Sequence, residues 1–157
     1  MPASDLALLI DAARKAGTIA TGYFGNDPDV TDKPAGAGPV TEADLAVNRM
    51  LHDTLGAARP DYGWLSEETE DNADRLSTDR QFVIDPIDGT RAFIAGNRDW
   101  AHSLAVVEGG QVRAAAVYLP MEEELDGADV VVMAYGITAR VTRMAIKRAS
   151  ATAMAPS

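Results

Sequence analysis

The segment from Gln81 to Thr90 limits the folds open to this chain more than any other. An apolar run at residues 81–84 is followed at once by Asp85-Pro86-Ile87-Asp88-Gly89-Thr90. The apolar run predicts a strand that delivers carboxylates at its end. The proline fixes the backbone between the two aspartates, and Gly89 permits a tight turn that lets both carboxylates point to one spot. Thr90 then opens the next element, so the pattern predicts a strand, a turn and a helix start.

This turn has two interpretations. Two carboxylates beside the backbone N–H groups of a helix start offer cation ligands where a phosphate prefers to bind. An Asp-Gly turn closed by an Asx-type hydrogen bond would have the same sequence without binding anything. An EF-hand is excluded, because with Gly89 at its sixth position the first, third and twelfth positions would be Ile84, Pro86 and Ala95.

Two amphipathic helices are predicted ahead of this segment. Ser4 followed by Asp5 is a start signal, and apolar residues then recur at helical spacing to about Phe24. Thr41 is a good N-cap with Asp44 three positions on, and an apolar face continues from there to residue 56. Residues 25–39 are rich in Gly, Pro and Asp, which predicts a loop that contains a short strand at 31–33.

Further strands complete a mixed α/β pattern. Residues 62–66 predict a strand, whereas the charged stretch 70–79 predicts an exposed loop of low order. The clearest local signal is a hairpin, in which 100–108 and 111–119 are joined by Gly109-Gly110. Beyond Pro120, residues 130–132 predict a strand and 138–149 a helix.

Composition narrows the classes of function. The chain has 157 residues, a net charge of −10 and no cysteine. Such acidity repels phosphate backbones, so a nucleic-acid polymer is not an expected partner, and the absence of cysteine excludes disulfides and thiolate chemistry. No stretch approaches the roughly 20 apolar residues that span a bilayer, and no signal peptide is evident. We therefore expect a cytoplasmic protein without a membrane partner.

Two further acidic features precede the Asp85 segment. Glu67-Glu68 follows the predicted strand at 62–66, and Asp44 lies at the start of the second helix. Taken alone, Glu67 could be a solvated loop residue and Asp44 half of a capping pair. His52 and His102 lack the paired spacing of metal ligands and are read as structural.

Taken in order, three motifs resemble the inositol monophosphatase family, including its bacterial members that act on bisphosphate nucleotides. They are G-P-V-T-E-A-D at 38–44, W-L-S-E-E-T at 64–69 and F-V-I-D-P-I-D-G-T-R-A-F at 82–93. The resemblance covers residues 4 to about 125. It implies a layered α/β fold of the sugar-phosphatase type and a phosphatase that requires Mg²⁺ and acts on a small phosphate monoester.

The resemblance also implies roles for particular residues. Glu67, Asp85 and the carbonyl of Ile87 would bind a first Mg²⁺, and Asp85 with Asp88 a second. Asp44 and Thr90 would help to activate a water held by the metal, and the substrate phosphate would meet Asp88 and the N–H groups of Gly89 and Thr90. Such a pair of cations stabilises both the attacking and the leaving oxygen of an in-line displacement.

Two departures keep alternatives open. The family has a W-D-x-A motif later in its chain, whose aspartate completes the second metal site, and this sequence has none. We therefore divide the chain into a family-like domain at 1–125 and an atypical β-α tail at 126–157, of which 126–149 weakly resembles part of a 2-oxoacid:ferredoxin oxidoreductase alpha subunit. The alternative to an enzyme is a truncated, catalytically impaired cation-binding module, and a structural fragment without metal is a third. A truncated sheet would also expose an edge, which favours a homo-oligomer.

Overall fold

Helices and a four-stranded sheet form the body of the described chain. The structure, a computed structural model, describes residues 3–122. In chain order the elements are α1 (Asp5–Tyr23), β1 (Val30–Asp32), β2 (Pro39–Thr41), α2 (Glu42–Ala58), β3 (Gly63–Ser66), β4 (Arg80–Asp88), α3 (Thr90–Ile94), β5 (Ala101–Glu108) and β6 (Gln111–Tyr118). The mixed α/β class predicted from the sequence is confirmed.

The two long helices begin where the sequence predicts. The Ser4 hydroxyl accepts a hydrogen bond from the backbone N–H of Ala7 at the start of α1. At the start of α2, Thr41 and Asp44 form a full capping box. Such caps satisfy N–H groups that have no partner within the helix, and each contributes about 1 kcal/mol.

The core lies between these helices and one face of the sheet. Helices α1 and α2 contact each other, α1 contacts β5 and β6, and α2 contacts β4. Alternate residues along the strands share the buried face, as the period of two requires. The sheet side of the core is formed by Phe82, Ile84, Leu104, Val106, Ala114 and Ala116, and the helix side by Leu9, Ala12, Ala13, Ala16, Ala43, Val47, Leu51 and Leu55.

The strand order is β3-β4-β5-β6, and only the first pair is parallel. Strands β5 and β6 form the predicted hairpin, whose Gly109 and Gly110 both have positive φ, at 56° and 75°. Two consecutive residues of that kind are the requirement of the tight turn that joins twisted antiparallel strands.

Two sequence predictions need correction. Strand β4 does not end at Ile84 but continues through Asp88, because its pairing with β5 resumes at Asp88 after an irregularity that begins at Asp85. The stretch 70–79 is not a loop of low order. It contains a 3-10 helix, Ala73–Ser77, which the ion pair between Arg75 and Asp71 helps to fix.

Several predictions lie beyond what the structure covers. The strand at 130–132, the helix at 138–149 and the proposed boundary at residue 126 all fall outside the described residues. Within residues 3–122, no helix combines the length and the apolar character needed to cross a membrane.

Candidate active site

Four carboxylates from three parts of the chain, those of Asp44, Glu67, Asp85 and Asp88, come together at one end of the sheet. The parallel pairing of β3 and β4 sets Ser66 beside Ile84, and the N–H of Glu67 donates to the Ile84 carbonyl at 3.1 Å. Glu67 therefore follows β3 at the same level as Asp85 in β4. The negative charges of Glu67, Asp88 and Asp44 all act on Asp85, which shows that the four side chains share one region.

Asp85 is the most perturbed member of this group. Burial and the neighbouring charges, first of all that of Glu67, raise its pKa to about 8. Its Oδ1 atom is buried and has no hydrogen-bond partner within the described part of the chain. A buried carboxylate oxygen without a partner, surrounded by like charges, is stabilised by a cation.

A hydrogen-bonded chain connects Asp44 to the end of β4. One oxygen of Asp44, Oδ2, accepts from the Thr41 N–H at 2.9 Å and from the Thr41 hydroxyl at 2.6 Å. The hydroxyl of Thr90 lies 3.2 Å from the other oxygen and 3.0 Å from the Ile87 carbonyl. The pKa of the fully buried Asp44 is raised by burial, although the bonds from Thr41 and Thr90 oppose that effect. Asp44 is thus both a helix cap and a member of the acidic cluster.

Gly89 makes the turn between β4 and α3 possible. Its φ is 94°, and a Cβ atom at this position would lie 2.8 Å from the Asp99 carbonyl oxygen. Both the positive φ and the close backbone contact exclude a side chain. The sequence prediction of a glycine-dependent turn after Asp88 is confirmed.

We expect Gly89→Ala to destabilise the protein more than Gly96→Ala, a matched control. Gly96 also has a positive φ, of 68°, but an added Cβ would meet nothing within 4 Å. The control should lower the free energy of unfolding by about 1–2 kcal/mol through backbone strain alone. The clash with Asp99 should add at least ~1 kcal/mol to the effect at Gly89. Urea unfolding of both variants measures the difference, and equal losses would contradict the packing described.

Lys33 forms ion pairs with both carboxylates of the Glu67-Glu68 segment. Its Nζ lies 2.8 Å from Glu67 and 2.7 Å from Glu68, and only 12% of its side chain is exposed. The Glu68 side chain is 4% exposed, whereas that of Glu67 is 49% exposed. These bonds raise the pKa of Lys33 against the opposing effect of burial. An ammonium ion of the protein thus already neutralises part of the cluster.

The Lys33→Met variant should lower the stability of the metal-free protein by roughly 2–4 kcal/mol, because it leaves the nearly buried Glu68 without its counter-ion. Lys15→Met is the control, since the Lys15–Asp11 pair is exposed on both sides. An exposed pair of this kind contributes less than about 1 kcal/mol. Thermal unfolding of both variants tests the difference, and a Lys33 variant as stable as the Lys15 variant would show that the pair is unimportant.

The cluster suits a hard cation in composition but is not closed around one. All of its candidate donors are oxygens, which Mg²⁺ prefers. Among residues 3–122, no three Asp, Glu or His side chains stand in an arrangement that could hold a metal ion as they are. A cation at Glu67 would in addition have to compete with the Lys33 ammonium, which lies 2.8 Å from that carboxylate. The unpartnered Oδ1 of Asp85 and the raised pKa of its carboxyl nevertheless fit a cation site.

Two other polar side chains, one on α2 and one at the end of β3, lie away from the cluster or support it indirectly. His52 is exposed on α2, with its ring centroid 4.9 Å from that of Trp64. Ser66 donates to Asn48 at 2.7 Å and accepts from the N–H of Glu68, so it orders the acidic segment after β3. Sequence reasoning missed this support, as well as the pairing of Glu68. The one sequence signal for these contacts was the pair of adjacent acidic residues at 67–68, together with a single lysine, Lys33, in the loop rich in glycine.

The fold and this cluster define a layered α/β protein with an acidic site at the end of a mixed sheet. The chain belongs to the inositol monophosphatase family, whose family model matches residues 2–137. The resemblance inferred from the three motifs is therefore confirmed.

Individual relatives agree with this membership. The chain is 40% identical over 119 residues to a Streptomyces griseus protein named glucose-1-phosphate thymidylyltransferase, and 37% identical over 127 residues to a histidinol-phosphatase of Mycobacterium tuberculosis. Each match covers 76% of this chain and 45% of the relative. Among solved structures, an IMPase of Thermotoga maritima has a TM-score of 0.65 and 34% identity, over 74% of this chain and 44% of that one. This chain thus spans about half the length of the proteins it matches.

Proposed function

We propose that this chain is a Mg²⁺-dependent phosphomonoesterase that acts on a small phosphate monoester. The observation that supports this most is the convergence of Asp44, Glu67, Asp85 and Asp88 at the end of the sheet, beside the Gly89-Thr90 turn. Relatives named inositol-1-monophosphatase and 3'(2'),5'-bisphosphate nucleotidase suggest an inositol phosphate or an adenosine bisphosphate as the substrate.

In this proposal Glu67, Asp85 and the Ile87 carbonyl would hold a first cation, and Asp85 with Asp88 a second. When bound, Mg²⁺ supplies Lewis acidity, which lowers the pKa of a coordinated water and offsets the charge of a phosphate. A cation bound at Glu67 would displace Lys33 from that carboxylate, whereas the Lys33 ammonium keeps its contact with Glu68.

The remaining residues position and exchange protons. Thr90 can donate its hydroxyl proton to Asp44 and use the same oxygen to accept from a water, since the Thr90 hydroxyl lies 3.2 Å from Asp44 Oδ1. Asp44, held by its two bonds from Thr41, is oriented to accept. The N–H groups of Gly89 and Thr90 at the start of α3 are proposed to bind phosphate oxygens.

The test is phosphate release from a panel that contains inositol 1-phosphate, histidinol phosphate and adenosine 3',5'-bisphosphate, with Mg²⁺ and with EDTA. Release that depends on Mg²⁺ supports the proposal. Equal release in EDTA would overturn the metal dependence, and no release from any member would overturn the activity.

A second candidate is a non-catalytic cation-binding module of the same fold. It is favoured by one observation, the buried Oδ1 of Asp85, unpartnered among residues 3–122, which suits a bound cation and does not by itself require turnover. It predicts Mg²⁺ binding in calorimetry without turnover across the same panel.

For partners, we propose a small phosphorylated substrate and self-association of the chain in the cytoplasm. Strand β6 has no strand on its outer side within the described residues, and an unpaired edge favours pairing with another copy. Light scattering should then give more than the mass of one chain. A monomer at all concentrations would contradict self-association.

A further inference from the structure

The β4 strand carries an extra residue where it passes the acidic cluster. Asp85 pairs with Ser103 and Asp88 with Ala101, so β4 advances three residues while β5 advances two. This two-against-one arrangement is a β-bulge, a feature that occurs next to active sites and re-aims side chains. Pro86 lies inside it and has no N–H to give to the sheet. The bulge therefore needs support from outside the backbone ladder.

His102 supplies that support from the opposite strand. It is the β5 residue between Ser103 and Ala101, and its ring nitrogen Nδ1 is hydrogen-bonded to the Pro86 carbonyl. The side chain is fully buried, and its Nε2 has no polar partner among residues 3–122. A carbonyl only accepts, so Nδ1 carries the proton in this bond.

The ring is held in one state and one place. Burial lowers the pKa of His102 to about 4, so the imidazole is neutral near pH 7. Its ring centroid lies 5.6 Å from that of the buried Trp100, at 75°, and 6.3 Å from that of Tyr118. Two aromatic rings thus pack against the imidazole that carries the Nδ1 donor.

The next carbonyl along β4 is the one proposed to bind the cation. The Ile87 carbonyl lies 3.0 Å from the hydroxyl of Thr90, which itself contacts Asp44. His102 thus holds the Pro86 carbonyl, and Thr90 contacts the following one. Two successive carbonyls of the bulge therefore lie within hydrogen-bond distance of side chains from outside the strand.

We propose that His102 is a positioning residue of the metal centre, which donates to the Pro86 carbonyl and so holds the β4 bulge with the Ile87 carbonyl and Asp88 beside the acidic cluster. This inference rests on the proposed function. A residue that orients a metal ligand without touching the metal is expected to change metal affinity by about 10–100-fold. A merely structural core histidine would change stability and leave metal affinity alone.

The experiment compares three variants of the full chain by Mg²⁺ titration in a calorimeter and by thermal unfolding. His102→Leu keeps the bulk and removes the donor, whereas His102→Asn places an amide N–H near the position of Nδ1. Val106→Ala, also in β5 and fully buried but paired with Phe82 away from the bulge, is the control for lost core packing.

We expect His102→Leu to weaken Mg²⁺ binding at least ~10-fold, His102→Asn to stay within about threefold of wild type, and Val106→Ala to lose stability at unchanged affinity. A His102→Leu variant that binds Mg²⁺ as well as wild type would overturn the inference while leaving the proposed function intact. Wild-type protein that binds no Mg²⁺ would overturn both.

If the His102→Leu variant fails to fold, the NMR resonance of the His102 Nδ1 atom in the wild-type protein provides the test. This resonance should shift on saturation with Mg²⁺, and no shift would overturn the inference.

Discussion

Asp85→Asn is expected to reduce Mg²⁺-dependent phosphate release by more than about 100-fold. Loss of a residue that only hydrogen-bonds to a metal ligand costs about 10–100-fold, and loss of a ligand itself should cost more. The amide matches the carboxylate in size but carries no charge to hold a cation. Phosphate release is measured on the best substrate of the panel at saturating Mg²⁺.

The control for this substitution is Asp53→Asn on α2. The Asp53 side chain is 74% exposed and lies outside the acidic cluster. The Asp53→Asn substitution should therefore leave phosphate release unchanged. An Asp85→Asn variant that retains wild-type activity would refute the assignment of Asp85 as a ligand.

Without metal, the stability of the protein is expected to fall as the pH rises from 6.5 to 8.5. The folded-state pKa of Asp85, about 8, lies above its unfolded value, so its contribution is complete at low pH and is lost as the pH passes through about 8. Over this interval the loss should be about 2 kcal/mol. His102 has the opposite sign, since its pKa is lowered to about 4, but that effect is confined to pH values below its ordinary 6.5.

Urea unfolding of the metal-free protein at pH 6.5 and 8.5 measures this loss. Asp85→Asn should remove most of it and be more stable than wild type at pH 8.5, whereas Asp53→Asn should retain it. Mg²⁺ should stabilise the wild-type protein more at pH 8.5, where Asp85 is ionised, than at pH 6.5. Wild-type stability that is flat or rises over this interval would contradict the described environment of Asp85.

The helices and the hairpin could be predicted because each depends on local signals, whereas the grouping of the three acidic motifs was predicted only from the family resemblance. Thr41 with Asp44 specifies a helix start in four residues, and Gly109-Gly110 specifies a turn in two. The Asp85 segment was recognised as a turn with two carboxylates, and its glycine does have the positive φ that the turn requires.

What the sequence could not predict depends on contacts between distant residues. Strand β4 continues through Pro86 only because β5 pairs with both sides of the bulge, and His102 meets Pro86 across 16 positions of the chain. Lys33 and Glu67 form their ion pair across 34 positions of the chain, and neither their spacing nor their residue types indicate that the two side chains will meet. Burial and neighbouring charges then set the pKa of Asp85, because an aspartate exposed to water has the ordinary pKa of a carboxylic acid.

The assignment of ligands to Glu67, Asp85, Ile87 and Asp88 remains a prediction, and one measurement tests it most directly. Mg²⁺ is titrated into wild-type protein, Asp85→Asn and Asp53→Asn at pH 8.5 in a calorimeter. The account predicts saturable binding to wild type and Asp53→Asn, and none to Asp85→Asn at the same concentrations. Equal binding by all three, or binding by none, would contradict it.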